Sequence, residues 1–159
     1  MKLKAVCAVS CLLILGGFSF SEETGTAQKA VHVEKGPVLD GDLQDEAWKQ
    51  AAPFTGFKMV FPNPGMEPTE KTKLRLVFDG ANLYIGVYCY DSVPSKISGN
   101  SMVHDGAGED NEKVDDVVRV LLDPFQDKRN AYVFIVNARG GRREGLASGE
   151  HVSLNWDGI

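Results

Sequence analysis

The chain has 159 residues, a length that provides one compact domain but not a catalytic domain joined to a separate binding domain. Hydrophobic residues make up 43% of the chain and charged residues 25%. These values are average for soluble globular proteins, so they exclude a disordered chain and a polytopic membrane protein. Lysine and arginine number 17 against 22 aspartate and glutamate residues, and the net charge of −5 disfavours a nucleic-acid partner.

The first 21 residues have the pattern of a cleavable signal peptide. Lys2 and Lys4 form a short positively charged region, and an almost uninterrupted apolar run covers residues 5–20. Ser19 and Ser21 place small residues at the two positions that a signal peptidase reads. We therefore expect export to the periplasm, the cell envelope or the extracellular space, with cleavage near Ser21.

Cysteine usage indicates a mature domain without an internal disulfide. Cys7 and Cys11 lie within the signal segment, which leaves Cys89 alone, and one cysteine cannot form an internal disulfide. The apolar run continues beyond Cys11, whereas an anchoring cysteine would end it, so the pattern disfavours a lipid anchor. We expect the domain to be stabilised by its core.

A short polar segment separates the signal peptide from the domain. Residues 22–30 are small and polar and show no periodicity, so they predict a tether. The domain is predicted to cover residues 31–159. Near its start, Val31 and Val33 alternate with polar residues, which indicates a short edge strand.

One short helix is predicted near the start of the domain. Asp42 is a candidate N-cap, and Pro53 must end the helix. Apolar residues between them recur at helical spacing, which predicts that Trp48 anchors the core. These residues are Leu43, Ala47, Trp48 and Ala51.

The pattern after the helix is that of strands. Two strand pairs are predicted, each joined by a polar turn. A polar connection over residues 91–115 separates the pairs, and this length is typical of a loop that binds or covers something. With six or so short strands and one helix, the sequence predicts an all-β, antiparallel, jelly-roll-like β-sandwich. The four main strands are predicted at residues 72–78, 83–90, 117–122 and 131–136.

A candidate ligand surface lies on one side of the second main strand. Alternation places three tyrosines and a glycine opposite an apolar core side. The glycine leaves a gap between flat, hydroxyl-bearing rings, which suits stacking and hydrogen bonding to a sugar. Alternation also directs Arg75 and Arg119 toward this surface. The alternative is that the tyrosines only cover the second side of the sandwich. The set comprises Tyr84, Gly86, Tyr88 and Tyr90.

Trp156 is the strongest single candidate for stacking on a sugar ring. It stands in Asn155-Trp156-Asp157-Gly158, outside any periodic strand. An exposed tryptophan in such a turn is available to a ligand. The alternative is that the indole closes one end of the sandwich, because large aromatic side chains are buried on average.

Acidic residues in the long connection supply a candidate calcium site. Residues 109–112 are followed by Asp115 and Asp116, which offer hard oxygen ligands. The segment lacks the ordered ligand spacing of a calcium loop, so solvated loop charges are the alternative. Met102 and His104 are candidate axial ligands of a haem, although their spacing does not define an iron site.

Sequence patterns of catalysis are missing. The chain has no nucleophile elbow, no two-histidine zinc motif and no glycine-rich phosphate loop after a strand. Its three histidines, His32, His104 and His151, are far apart in sequence. The sequence therefore predicts binding without catalysis and no required cofactor, with Ca²⁺ as a candidate ion.

A set of short segments occurs in an order that points to a family. The segments are Val38-Leu39-Asp40-Gly41-Asp42-Leu43, Glu46-Ala47-Trp48 with Ala51, Pro68-Thr69-Glu70-Lys71-Thr72, Phe78-Asp79, Leu83-Tyr84-Ile85-Gly86, Asp91-Ser92 with Pro94, Asp116, Leu122-Asp123-Pro124, Tyr132-Val133-Phe134, Val136-Asn137 and Trp156-Asp157-Gly158. Together they resemble carbohydrate-binding module family 9-like domains. The resemblance spans residues 31–159, and the ordered set makes it specific.

The resemblance implies a sandwich that binds sugars without catalysis, with tryptophans stacked on the ring and calcium bound structurally. The chain is most similar to the version found at the N-terminus of large bacterial envelope proteins. There, the domain precedes a part that resembles an outer-membrane β-barrel. Related domains continue with further strands beyond the position of Trp156, so we expect this chain to be incomplete at its C-terminus.

The sequence leaves three functions open. The first is an exported carbohydrate-binding domain whose partner is an oligo- or polysaccharide, linked to glycan capture or carbohydrate catabolism at the cell envelope. The second is a structural or interaction domain of an outer-membrane protein without sugar affinity. The third is a haem-binding relative of the same sandwich, for which Met102 and His104 are the candidate ligands.

Overall fold

Strands are the predominant regular secondary structure of the described residues. A computed structural model describes the backbone of residues 3–9 and the whole of residues 28–100, 102, 115–156 and 158. Within these residues, one four-residue α-helix and one 3-10 turn accompany the strands, so the predicted all-β class is confirmed. The elements are β1 (Leu3–Val9), β2 (Val31–His32), α1 (Glu46–Lys49), β3 (Thr72–Phe78), β4 (Leu83–Cys89), the 3-10 turn (Pro94–Lys96), β5 (Val117–Leu122), β6 (Asn130–Asn137), β7 (Arg142–Ser148) and β8 (His151–Ser153).

The strands form two four-stranded sheets in separate compact units. Sheet A has the order β1-β4-β3-β2, and sheet B has the order β5-β6-β7-β8. Neighbouring strands are antiparallel except β2 and β3, which are parallel. The first unit contains sheet A and α1 and extends to Ser95, and the second contains sheet B and includes the chain from Lys96 onward. The predicted domain over residues 31–159 stays a prediction, and its described residues belong to both units.

The four main predicted strands are present with small shifts. β3 and β5 have the predicted bounds, β4 ends one residue earlier, and β6 is one residue longer at each end. The sequence does not predict β7 and β8. β7 begins at Arg142 and ends at Ser148. Arg142, Glu144 and Gly145 have low strand preference, so pairing with β6 determines this strand.

β1 lies within the predicted signal peptide. Its backbone pairs antiparallel with β4, from Leu3 opposite Cys89 to Val9 opposite Leu83. The predicted cleavage site at Ser21 and the tether up to residue 27 lie outside the described residues, so export and processing stay predictions. In the described part of the chain, no helix has the length and apolarity needed to cross a membrane.

α1 begins after Asp45, so the prediction of Asp42 as its N-cap is wrong. The carboxylate Oδ2 of Asp45 accepts a hydrogen bond from the backbone N–H of Val38 at 2.8 Å. Asp42 belongs to a preceding turn, in which its own N–H donates to Oδ1 of Asp40 at 2.7 Å. Aspartate occurs in both settings because its short carboxylate bonds nearby backbone N–H groups in turns and at helix ends.

The core of the first unit is built around Trp48. Its side chain is completely buried, as its helical spacing predicts. A Cβ at Gly86 on β4 would lie 3.0 Å from atoms of the Trp48 ring and from Cδ2 of Leu43. The indole therefore occupies the space that Gly86 leaves on the sheet. The buried residues of this cluster are Val33, Leu43, Ala47, Trp48, Ala51, Val77 and Tyr84.

The main apolar cluster of the second unit lies on the side of sheet B that carries Val133 and Ile135, and Phe134 and Glu144 are buried on the other side. The chain after β8 packs against this cluster, because Gly145 on β7 has no side chain to obstruct Leu154. The guanidinium of Arg143 also donates to the carbonyl oxygen of Leu154, with two nitrogen–oxygen distances of 3.3 Å. β7 therefore holds the segment that leads to Trp156. The buried cluster consists of Val133, Ile135, Ala147 and Leu154.

Trp48→Ala is expected to lower the free energy of unfolding by about 3–5 kcal/mol, the cost of truncating a large buried aromatic side chain. Denaturant unfolding measures the change. Phe125→Ala is the control, because Phe125 is 71% exposed, and its effect should stay within about 0.5 kcal/mol. Equal effects of the two substitutions would contradict the central position of Trp48.

Candidate functional site

The predicted ligand side of β4 belongs to the core at Tyr84 and Gly86. Tyr84 is 7% exposed and lies in the Trp48 cluster, and a Cβ on Gly36 would overlap its hydroxyl. The gap at Gly86 is filled by Trp48 and is closed to a sugar. The expectation that Tyr84 offers a free ring is therefore corrected, because the helix residues pack on this side of the sheet.

The hydroxyl of Tyr84 stabilises the turn between β3 and β4. It donates to Oδ2 of Asp79 at 2.7 Å, and Oδ1 of Asp79 accepts from the N–H groups of Ala81 and Asn82, each at 2.8 Å. These donors, first the N–H of Ala81 and then the Tyr84 hydroxyl, lower the pKa of the Asp79 carboxyl. The hydrogen bond to Asp79 in turn raises the pKa of Tyr84. Tyr84 is a structural residue.

Tyr88 and Tyr90 form an aromatic pair at the surface of the first unit. Tyr90 is 37% exposed, the two ring centroids are 4.7 Å apart, and the ring planes are inclined at 59°. The ammonium group of Lys73 lies 5.1 Å from the Tyr90 centroid, which is a cation–π contact. Lys73 was not predicted as a site residue, although it stands opposite Tyr88 in the pairing of β3 with β4. Of the predicted tyrosines, Tyr90 is exposed, and Tyr88 is half-buried because it also packs against the Trp48 cluster.

The two predicted arginines lie in different sheets. Arg75 on β3 stands opposite Gly86, and its Nη1 donates to the carbonyl oxygen of Leu43 at 3.5 Å. The buried Nε of Arg75 has no hydrogen-bond partner among the described residues. Arg119 is exposed on β5 of sheet B. The structure thus places Arg75 on the side of sheet A that carries the tyrosines and Arg119 in the other unit.

Trp156 packs against Tyr132 at the surface of the second unit. Both side chains are half-buried, their ring centroids are 5.2 Å apart, and their planes are inclined at 45°. Tyr132 on β6 stands opposite the partly exposed Leu146 of β7. These three residues define the Trp156 surface, on the side of β6 opposite the core residue Val133. Tyr132 was not predicted, although its alternation with Val133 indicates an outward position.

The predicted calcium ligands Asp115 and Asp116 attach loop segments to sheet B. Asp115 is buried, and its Oδ1 accepts from the backbone N–H of Asn100 at 2.9 Å and from the Asn100 side-chain amide. Its Oδ2 accepts from the side-chain amide of Asn137 at 3.1 Å. Asp116 accepts from the N–H of Ser98 at 2.8 Å. Both carboxylates therefore satisfy donors of the protein itself.

The other predicted ligands of the long connection provide no assembled site. Residues 109–112 and His104 lie outside the described residues, and Met102 is exposed. Among the residues that the structure describes, no group of three or more histidine, cysteine, aspartate or glutamate side chains is arranged to hold a metal ion. Calcium and haem binding therefore stay predictions.

A groove of about 630 Å³ lies beside α1 in the first unit. This volume is within the range of small-ligand sites. Its one aromatic lining residue, His32, has its ring centroid 5.2 Å from that of Phe78 in an edge contact. The groove therefore offers hydrogen-bonding groups but little aromatic surface for stacking. Its polar lining includes His32, Glu34, Lys35, Asp45, Glu46 and Gln50.

Comparison of the chain with protein-family models, with curated proteins and with solved structures gives no match. The resemblance to carbohydrate-binding module family 9-like domains therefore stays a prediction from sequence segments. A functional assignment must come from the surfaces described above.

Tyr84→Phe is expected to reduce stability in a pH-dependent way. The folded pKa of Asp79 is lowered, so its contribution is present above the ordinary aspartate pKa of about 3.9 and is lost as the pH falls through the folded value. The pKa of Tyr84 is raised, so its contribution is present below about pH 10 and is lost as the pH rises through the folded value. The loss of stability caused by Tyr84→Phe should therefore be largest between about pH 3.9 and about pH 10.

Urea unfolding of the wild-type protein and of Tyr84→Phe across this pH range measures the difference. Tyr132→Phe is the matched control, because it makes the same substitution in the second unit. A stability difference between wild type and Tyr84→Phe that stays constant from acid to alkaline pH would contradict the hydrogen bond to Asp79.

Asp115→Ala is expected to lower the free energy of unfolding by about 1–3 kcal/mol, because it leaves the amides of Asn100 and Asn137 without their acceptor. Asp116→Ala removes a bond at an exposed carboxylate and should cost less. Unfolding with Ca²⁺ and with EDTA separates the two roles. A structural carboxylate gives the same loss in both solutions, whereas a loss seen only with Ca²⁺ would assign Asp115 to a metal site.

Proposed function

We propose that the chain is an exported, non-catalytic carbohydrate-binding domain that holds an oligo- or polysaccharide at the cell envelope. The Trp156 surface is the observation on which this proposal rests. Trp156 and Tyr132 are half-buried with centroids 5.2 Å apart, so packing fixes the rings while part of each stays at the surface. Leu146 extends this apolar area.

The chemistry of the Trp156 surface suits a sugar ring. A pyranose has an apolar C–H face that an aromatic ring buries, while polar groups nearby bond its hydroxyls. The 45° inclination of the two rings favours a sugar stacked on one ring with its edge toward the other. The Tyr132 hydroxyl and the exposed Asn155 supply polar groups beside the rings.

The pair Tyr88 and Tyr90 is a second candidate contact for a glycan. The ammonium group of Lys73 beside Tyr90 adds a hydrogen-bond donor for a sugar hydroxyl. This pair and the Trp156 surface belong to different units, so each is tested by its own substitution. Arg75 is half-buried on the same side of sheet A, opposite Gly86.

A second candidate function is a structural or interaction domain of an outer-membrane protein without sugar affinity. The observation in its favour is that both aromatic pairs also serve packing. A Cβ on Gly158 would overlap the Trp156 indole, and Lys73 covers part of Tyr90. Rings used in this way stabilise a surface even when no ligand binds.

Calorimetric titration with xylo- and cello-oligosaccharides tests the proposed function. We expect binding that Trp156→Ala weakens by about 1–3 kcal/mol, the scale of removing an apolar side-chain face from a contact. Phe125→Ala is the matched control, because it removes an exposed aromatic ring from the same unit and should leave affinity unchanged. Parallel titrations with Ca²⁺ and with EDTA test the candidate ion.

The outcomes separate the two candidate functions. Full affinity in Trp156→Ala would remove this residue from the site, and Tyr90→Ala then tests the pair in the first unit. A folded protein without affinity for any glycan tried would contradict the carbohydrate proposal and favour the structural function. Thermal unfolding of each variant distinguishes a lost contact from a lost fold.

A further inference from the structure

The two most exposed large apolar side chains of the described residues are neighbours in one loop. Val60 is 83% exposed and Phe61 is 85% exposed, and Met66 across the loop is 61% exposed. They belong to neither core cluster. Large apolar side chains that stand together in solvent mark a surface for interaction.

Backbone hydrogen bonds across the loop give it a defined shape. The N–H of Met59 donates to the carbonyl of Met66, and the N–H of Gly65 donates to the carbonyl of Met59, each at 2.8 Å. Lys58 and Glu67 form an ion pair beside these bonds. Three prolines between residues 62 and 68 restrict the backbone further. The apolar tip is therefore held away from the core by ordered backbone.

The tip carries no charge. Residues 59–66 contain no charged side chain, although a quarter of the whole chain is charged. The nearest charges, Lys58 and Glu67, pair with each other at the base. Polarity thus decreases from the base of the loop to its tip, as it does from the headgroups to the acyl chains of a lipid layer.

The size and charge of the tip favour a lipid surface over a protein partner. An aromatic side chain such as Phe61 buries roughly 150–250 Å². With the smaller contributions of Val60 and Met66, the three side chains together bury on the order of 400 Å². A specific protein interface buries about 800 Å² on each partner, roughly twice this area. The chain has a net charge of −5, which disfavours anionic lipids, so the uncharged tip suits a zwitterionic surface.

We propose that residues 59–66 form a membrane-insertion tip, with Val60, Phe61 and Met66 entering the boundary between headgroups and acyl chains of a zwitterionic bilayer. A single shallow insertion gives weak and reversible association. The tip therefore orients the first unit at a membrane and does not anchor it. Contact of this kind is independent of sugar binding.

Phosphatidylcholine vesicles with brominated acyl chains test the insertion directly. In Phe61→Trp, the introduced indole should be quenched by brominated lipid, and its emission should shift to shorter wavelength. Phe125→Trp, at an exposed position of the second unit, should show neither effect. Intact mass first establishes the N-terminus of the protein, because a retained signal segment would itself bind lipid.

Vesicle flotation provides a matched comparison of variants. Val60→Ser combined with Phe61→Ser should reduce the vesicle-bound fraction about tenfold, because most of the inserted apolar area is removed. Val38→Ser combined with Leu39→Ser is the control, since it removes two exposed apolar side chains elsewhere in the same unit and should bind like the wild type. Circular dichroism verifies that both proteins are folded.

Three results would contradict the proposed membrane insertion of residues 59–66. The wild-type protein could fail to bind zwitterionic vesicles, or both double variants could lose binding equally. A tip variant with unchanged vesicle binding but an altered sedimentation coefficient would assign the loop to a protein contact. Quenching at Phe61→Trp, together with loss of binding in the tip variant alone, supports it.

Discussion

The first unit depends on the indole of Trp48, which occupies the space that Gly86 leaves on β4. A Cβ at Gly86 would stand 3.0 Å from the ring, so the absence of a side chain lets α1 approach sheet A and bury Trp48 completely. Tyr84 is buried on the same side of β4, and its hydroxyl bonds Asp79 in the turn that follows β3. Helix, sheet and turn are therefore linked through one side of one strand.

This constraint decides where ligand surfaces can lie. The middle of the tyrosine side of β4 is used by the core, so on this side of the strand only Tyr88 and Tyr90, at one end, place rings near the surface. In the second unit, the main apolar cluster uses the side of β6 that carries Val133, and Tyr132 meets Trp156 on the opposite side. Both aromatic pairs are thus partly exposed, beside residues that the packing of each unit buries.

Features that depend on local pattern were predictable from the sequence. Alternation is enough to define β3 and β5, and helical spacing is enough to bury Trp48. Periodicity distinguishes the two sides of a strand, but it does not say which element covers each side. β4 is buried on both sides from Leu83 to Val87, so the assignment of an outer, ligand-facing side failed at Tyr84.

Features that depend on distant partners were not predictable. β7 is a strand because β6 pairs with it, although its own residues favour strands weakly. Asp115 has the chemistry of a calcium ligand, yet it bonds the amides of Asn100 and Asn137, which are far from it in sequence. Trp156 was identified as a candidate, but its contact with Tyr132 depends on how the chain after β8 returns to sheet B.

A double-mutant cycle between Trp48 and Gly86 tests the central contact most directly. In the wild-type background, Gly86→Ala should destabilise the protein by about 1–3 kcal/mol, because the new methyl group is forced against the indole. In the Trp48→Ala background, the same substitution should be neutral or stabilising, because the methyl group enters the vacated space and alanine suits a strand better than glycine. The predicted result is a coupling free energy above about 1 kcal/mol in denaturant unfolding. If the changes in unfolding free energy of the two single variants add to that of the double variant within about 0.5 kcal/mol, the contact between Gly86 and Trp48 does not stabilise the fold as described.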